Sequence, residues 1–122
     1  MKRDMDVVRA IALAVADSPA DTPVRAVAGI DRLTFAQHTQ WMQEAGLVFG
    51  ALSPPDSMKP ATHALIWRLT WAGCDFADSV RSEALWKKAK TMVLKPSGSW
   101  TFGVLTDWLK SEIGGQLGDL AS

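Results

Sequence analysis

One helical stretch of this chain carries Thr34, Gln37, His38, Gln40 and Gln43. Gln37 and Gln40 are three residues apart, so on a helix they share a face, opposite Phe35 and Met42. A glutamine amide can bond adenine bidentately at N6 and N7 in the major groove, so the pattern points to base reading. Phosphate anchors would come from Arg25 and Arg32 before the helix, and from Lys59 and His63 after it. The candidate DNA-contacting set is Arg32, Thr34, Gln37, His38, Gln40, Lys59 and His63. Charge opposes this reading. No Lys or Arg lies between Thr34 and Ala45, and DNA affinity rests largely on cations set against phosphates. The plain alternative is a solvated face on a structural helix.

Other reactive side chains point to little chemistry. His38 and His63 have no Cys or carboxylate at helical ligand spacing except Glu44, which is off their face, so no metal site is expected. Cys74 has no base beside it and reads as a small core residue. Asp75 and Asp78 are three apart on a helix, a solvent face rather than an acid–base pair. Gly114-Gly115 lacks the Lys and helix of a phosphate loop. No catalytic residue, no cofactor and no enzyme activity are expected. Lys87, Lys88, Lys90 and Lys95 form the dense positive run, which suits DNA backbone, an acidic partner or plain solvent. Trp41 lies beside the core stripe of its helix. It either completes the core or, with Lys87, Lys88 and Lys90, marks a partner surface.

The elements that must position these groups follow from composition and pattern. A chain of 122 residues with 48% hydrophobic content is one domain with a real core. Its 13 basic and 13 acidic residues cancel, whereas a nucleic-acid binder usually carries a basic excess. One cysteine excludes a disulfide framework and a cysteine-rich zinc site, and fits a reducing cytoplasm. No apolar run approaches the about 18 residues of a membrane span. Met1-Lys2-Arg3 is followed at once by Asp4 and Asp6, so the start reads as a retained helix and not as a signal peptide.

Periodicity predicts a helix over residues 4–16, with Val7, Val8, Ile11, Ala14 and Val15 on one face. Residues 22–30 fit a short helix with Gly29 as its stop, the second helix of a helix-turn-helix. Residues 33–45 form the next, with Thr34 as N-cap, Gln37 completing a capping box, and Gly46 as a left-handed C-terminal cap. Residues 47–52 and 62–70 read as strands, the second with Leu65, Trp67 and Leu69 on one face and Ile66 on the other. The loop between them holds Pro54, Pro55 and Pro60. Thr70 caps a helix toward Arg81 with Phe76, Ala77 and Val80 inward. Residues 82–93 continue as a helix with Leu85, Ala89, Met92 and Val93 inward. A turn at Pro96-Ser97-Gly98-Ser99 leads to a last helix capped by Thr101, with Phe102, Leu105, Leu109 and Ile113 inward.

The expected fold is mainly α with a small β-hairpin: a winged helix-turn-helix with two additional C-terminal helices. Residues 1–113 would form a single domain and residues 114–122 a flexible tail. Trp86, Trp100 and Trp108 would serve the core or a subunit interface, and analogy with other winged-helix proteins suggests a homodimer through the C-terminal helices.

Several runs resemble one family. They are the opening Met1-Lys2-Arg3-Asp4-Met5-Asp6-Val7-Val8-Arg9, residues 38–48, Leu69-Thr70-Trp71-Ala72-Gly73, Phe76-Ala77-Asp78 with Arg81, and Trp86-Lys87-Lys88. Together they are similar to the DUF2513 family, small proteins of bacteria, phages and prophages, with residues 52–61 the least constrained. The resemblance implies a winged helix and a DNA-binding or regulatory role in mobile elements, and it transfers no catalytic residues. Two functions are therefore carried forward. The first is double-stranded DNA binding by a small phage or mobile-element transcriptional regulator. The second is a protein-binding winged-helix module, such as a phage-encoded inhibitor or adaptor of a host protein, without DNA binding.

Overall fold

The computed structural model describes residues 1–94 and 101–121. In chain order these form α1 (Met5–Asp17), α2 (Arg32–Glu44), β1 (Val48–Ser53), β2 (His63–Leu69), α3 (Trp71–Val80), α4 (Glu83–Ala89), a π-helical turn (Lys90–Leu94) and α5 (Phe102–Ala121). Helices thus combine with one two-stranded antiparallel hairpin. The chain divides into two compact units, Met1–Ala77 and Asp78–Ser122. Helix α5 runs on to Ala121. Glycine inside a helix costs only about 1 kcal/mol relative to alanine and does not forbid it. Lys95, the 96–99 turn, Trp100 and Ser122 lie outside the described residues.

In the first unit, Asp4 caps α1 by accepting the Asp6 N–H at 2.9 Å. Met5, Val8, Ile11, Ala12 and Val15 are buried along one stripe, which packs on α2 and β2. The expected helix at residues 22–30 does not form. Val24 instead pairs with Ile66 on the edge of β2 away from β1: each N–H donates to the other's carbonyl at 2.9 Å. A short helix must fix several residues before its first bond forms, whereas this bridge makes two bonds at once. Helix α2 begins earlier than expected because Asp31, not Thr34, is its cap. The Asp31 carboxylate accepts the Thr34 N–H at 3.1 Å and the Thr34 hydroxyl at 2.6 Å. The other end matches the sequence: Gly46 has φ +77°, and its N–H donates to Gln43 O while Leu47 N–H reaches Met42 O, a Schellman ending.

The hairpin departs from simple alternation. Phe49 pairs with Arg68 but Gly50 pairs with Ile66, so Trp67 is an extra residue in β2. Such a bulge turns the strand locally. Ile66 and Leu69, expected on opposite faces, are consequently both buried, and Trp67 is 59% exposed. The bulge depends on Gly50, where a Cβ would lie 2.3 Å from Leu65 O.

The hairpin's end is tied to α2 at one point. Thr70 N–H donates to Leu47 O at 2.9 Å, its hydroxyl donates to Gly46 O, and its oxygen accepts the Gly73 N–H at 2.9 Å. Thr70 therefore caps α3, as its position suggested. A Cβ on Gly73 would lie 2.0 Å from Leu47 O.

In the second unit, Ser82 caps α4 through the Leu85 N–H, and Leu85, Trp86 and Ala89 are buried. The π turn widens the following coil, which shifts the face that side chains occupy. Val93 stays buried, but Met92, expected inward, is 59% exposed. Thr101 accepts the Val104 N–H at 3.2 Å. Leu105 and Leu109 are fully buried, while Phe102, Trp108 and Ile113 are half-buried.

Gly73→Ala is expected to lower stability by about 1–3 kcal/mol, because the obstacle is a backbone oxygen that cannot swing aside. Gly103→Ala is the control: it meets only the Thr101 side chain at 3.8 Å and should be neutral or stabilising. Urea denaturation of both compares them, and equal midpoints would show that the α2–α3 joint yields.

Candidate functional site

The polar residues of α2 are not a solvent-facing reading edge. His38 is 1% exposed. Its Nε2 accepts the Asp4 N–H at 2.9 Å, so Nδ1 carries the proton and donates to Thr34 O at 2.8 Å. The ring also meets Trp41 edge-on, with centroids 5.1 Å apart. Gln40 is 5% exposed. Its Nε2 donates to Lys59 O at 3.0 Å, and its Oε1 accepts the Ala61 N–H at 3.0 Å. Gln37 donates to the same Oε1 at 3.3 Å.

Two of the residues expected to read bases, His38 and Gln40, are buried: His38 meets the start of α1 and Gln40 meets residues 59–61, while Leu33, Gln43 and Glu44 stay exposed. His38 and Gln40 are internal brackets between elements, and the Thr34 hydroxyl serves Asp31. Gln37 and Trp41 are half-buried. Those bonds from Thr34 hold the Asp31 carboxyl below its ordinary range.

The expected phosphate anchors do meet, in part. Arg32 Nη1 donates to Thr62 O at 2.7 Å and to His63 Nε2 at 2.9 Å. An arginine only donates, so that ring nitrogen is the acceptor. His63 Nδ1 then donates to the Thr62 hydroxyl at 3.2 Å, which itself donates to Ser53 O. Arg25, Arg32 and His63 line one open depression of about 360 Å³ along the outer half of the hairpin. Lys59 does not line it; its side chain is exposed in the connecting loop.

A group of exposed aromatic residues was missed from sequence. Trp71 is 87% exposed, Trp67 59% and Phe49 50%, and the Arg68 guanidinium lies 4.4 Å over the Phe49 ring. Cys74 is exposed, which corrects its reading as a core residue. It shares a depression of about 210 Å³ with Trp67, Arg68, Val15 and Pro19. The signal was present in the spacing. Gly73, Phe76, Ala77 and Val80 are the buried row of α3, and that i, i+3, i+4, i+7 pattern leaves Trp71, Cys74, Asp75 and Asp78 outside. Asp75 and Asp78 are indeed exposed.

Among the lysines proposed as a partner surface, Lys88 pairs with Glu112 at 2.9 Å, Lys87 is exposed and Lys90 is half-buried. His38 and His63 belong to separate networks. Among the described residues no group of three or more His, Cys, Asp or Glu is placed to hold a metal ion. No described helix is long and apolar enough to cross a membrane.

The comparisons with known proteins identify a family. The model of DUF2513, described as a hypothetical protein, matches residues 2–99. The chain belongs to that family. No curated protein and no solved structure matches it. The run Leu69-Thr70-Trp71-Ala72-Gly73, which carried the resemblance, is the joint between α2 and α3.

Gln40→Leu should cost about 1–3 kcal/mol, since it leaves the buried Ala61 N–H without a partner. Hydrogen exchange at the Ala61 amide should accelerate more than exchange in α1; an unchanged Ala61 rate would refute the bracket. Asp31→Ala should lower the thermal midpoint at pH 7. Because the folded carboxyl titrates below its ordinary value of 3.8, its contribution is complete above that value and is lost as pH falls through the folded one. The gap between variant and wild type should therefore close on acidification, and a gap constant down to low pH would count against the cap.

Proposed function

We propose that the chain is a protein-binding module of winged-helix type, of the kind an inhibitor or adaptor of another protein would use. The observation that carries this reading is the exposure of Trp67 and Trp71 beside Arg68. A tryptophan offers a large apolar area that is unfavourable in water. Trp and Arg are also the side chains most enriched where binding energy concentrates at protein interfaces. Trp71 and Cys74 share a face of α3 by their spacing, and Cys74 and Trp67 share a depression, so the surface is continuous from hairpin base to helix.

The winged-helix reading rests on element order. Val24 takes the place of the first strand by pairing with Ile66, and the turn in which Ile30 N–H reaches Val27 O takes the place of the middle helix. Helix α2 is then the counterpart of a recognition helix. Its outward positions Leu33, Gln37, Trp41 and Glu44 carry no cation. That row suits a protein partner better than a phosphate backbone, whose binding draws on cations.

Affinity capture from host lysate tests the proposal, with wild type compared against Trp67→Ser/Trp71→Ser. The expected result is a protein retained by wild type at both roughly 0.1 and 0.5 M salt and lost with the variant, since apolar contacts are little screened. The variant should keep its thermal midpoint, both side chains being exposed. Identical retained proteins, or a salt-sensitive shift of duplex DNA in their place, would overturn it.

A further inference from the structure

We propose that the depression lined by Arg25, Arg32 and His63 binds a small organic phosphate, independently of the aromatic surface. The first argument is charge. Arg32 spends its Nη1 on two neutral groups, Thr62 O and His63 Nε2, which fix the guanidinium and leave Nε and Nη2 to make a paired contact with an oxyanion. Arg25 lines the same depression and is exposed. The lining holds no carboxylate to neutralise the two guanidinium groups. Two positive charges, one of them held in place, match a phosphomonoester, which carries about −1.5 to −2 at pH 7, better than a single carboxylate.

The second argument is shape. Apart from His63 and Ser53 the rest of the lining is apolar, with Phe35, Ala51, Leu52, Ala64 and Leu65. At about 360 Å³ the space falls at the lower end of small-molecule sites, roughly 300–1,000 Å³. The ligand is therefore a phosphate on a compact apolar or planar body, with the oxyanion against Arg25 and Arg32 and the body against the leucines. His63 acts as a positioning residue: its Nε2 holds Arg32 by accepting a hydrogen bond from Nη1, and Thr62 holds His63 in turn.

Titration of the full chain with phenyl phosphate, followed by calorimetry and amide NMR shifts, is the test. Saturable one-to-one binding is expected, with shifts at the amides of residues 51–53 and 63–65. Arg25→Gln should weaken it about tenfold, the loss expected for one charged hydrogen bond. Arg25 makes no bond that folding needs, so this variant stays folded. Arg32→Lys, which keeps the charge but loses the fork, should weaken it as well. Inorganic phosphate should bind more weakly than phenyl phosphate. Absence of saturation, unchanged affinity in Arg25→Gln, or equal binding of inorganic phosphate would overturn the proposal. Displacement of phenyl phosphate by short duplex DNA at equal phosphate concentration would overturn it too, by making the groove a backbone site. None of these results bears on partner capture through Trp67 and Trp71.

Discussion

The carbonyl of Leu47 is the point on which the first unit depends. It accepts the Thr70 N–H, and Gly73 lies so close that only a residue without a Cβ fits there. This contact fixes where α3 starts and how it is rotated. With Gly73 pressed inward, Phe76, Ala77 and Val80 follow it into the core, and Trp71 and Cys74 must face out. The exposed tryptophan surface is thus set by a backbone contact on the opposite side of the same helix. The Schellman ending of α2 delivers Leu47 to that place, so Gly46 and Gly73 act on one joint from two elements.

A second constraint comes from polar groups that are buried. Gln40 presents both a donor and an acceptor to the backbone of a distant segment, and His38 accepts from one while donating to Thr34 O in its own helix. His38 takes the start of α1, and Gln40 takes the returning loop before β2. Leaving any of these buried backbone groups unpaired would cost more than an ordinary hydrogen bond gains. The polar residues of α2 are therefore held in place by what they satisfy. This is why a helix rich in glutamine has so little free reading surface.

Much of the fold was legible. The ends of α2 at Gly46, the cap at Thr70, the two strands and the inward rows of α3 and α5 all follow from local rules. What was not legible depended on contacts between distant residues. The bridge from Val24 to Ile66 replaces a helix that residues 22–30 would otherwise suit, and the pairing becomes visible only once β2 has an open edge. The bulge at Trp67 breaks the alternation that put this residue on one face with Leu69. Its one local sign is Gly50 on the facing strand, and that sign has meaning only with the register known. The polar spacing of Gln37 and Gln40 fits a reading face and an internal bracket equally well; only the loop at residues 59–61 distinguishes them. Arg32 and His63, by contrast, were grouped by chemistry in the sequence and do meet, in a direct hydrogen bond.

Zero net charge acquires a different meaning once the charges are placed. It argued against DNA because affinity for a phosphate backbone grows with the number of cations engaged. Yet a neutral chain can still hold a local positive field if its arginines line a depression that no carboxylate enters, as Arg25 and Arg32 do. Along the hairpin, the base presents Phe49, Trp67 and Arg68, and the outer half presents His63 beside Arg32. The apolar surface favours a partner that excludes water over a broad area, whereas the arginine surface favours one compact anion. A duplex would demand cations spread along its path, and the outward row of α2 carries none. If both proposals hold, one small scaffold separates two binding chemistries, one at each end of the hairpin.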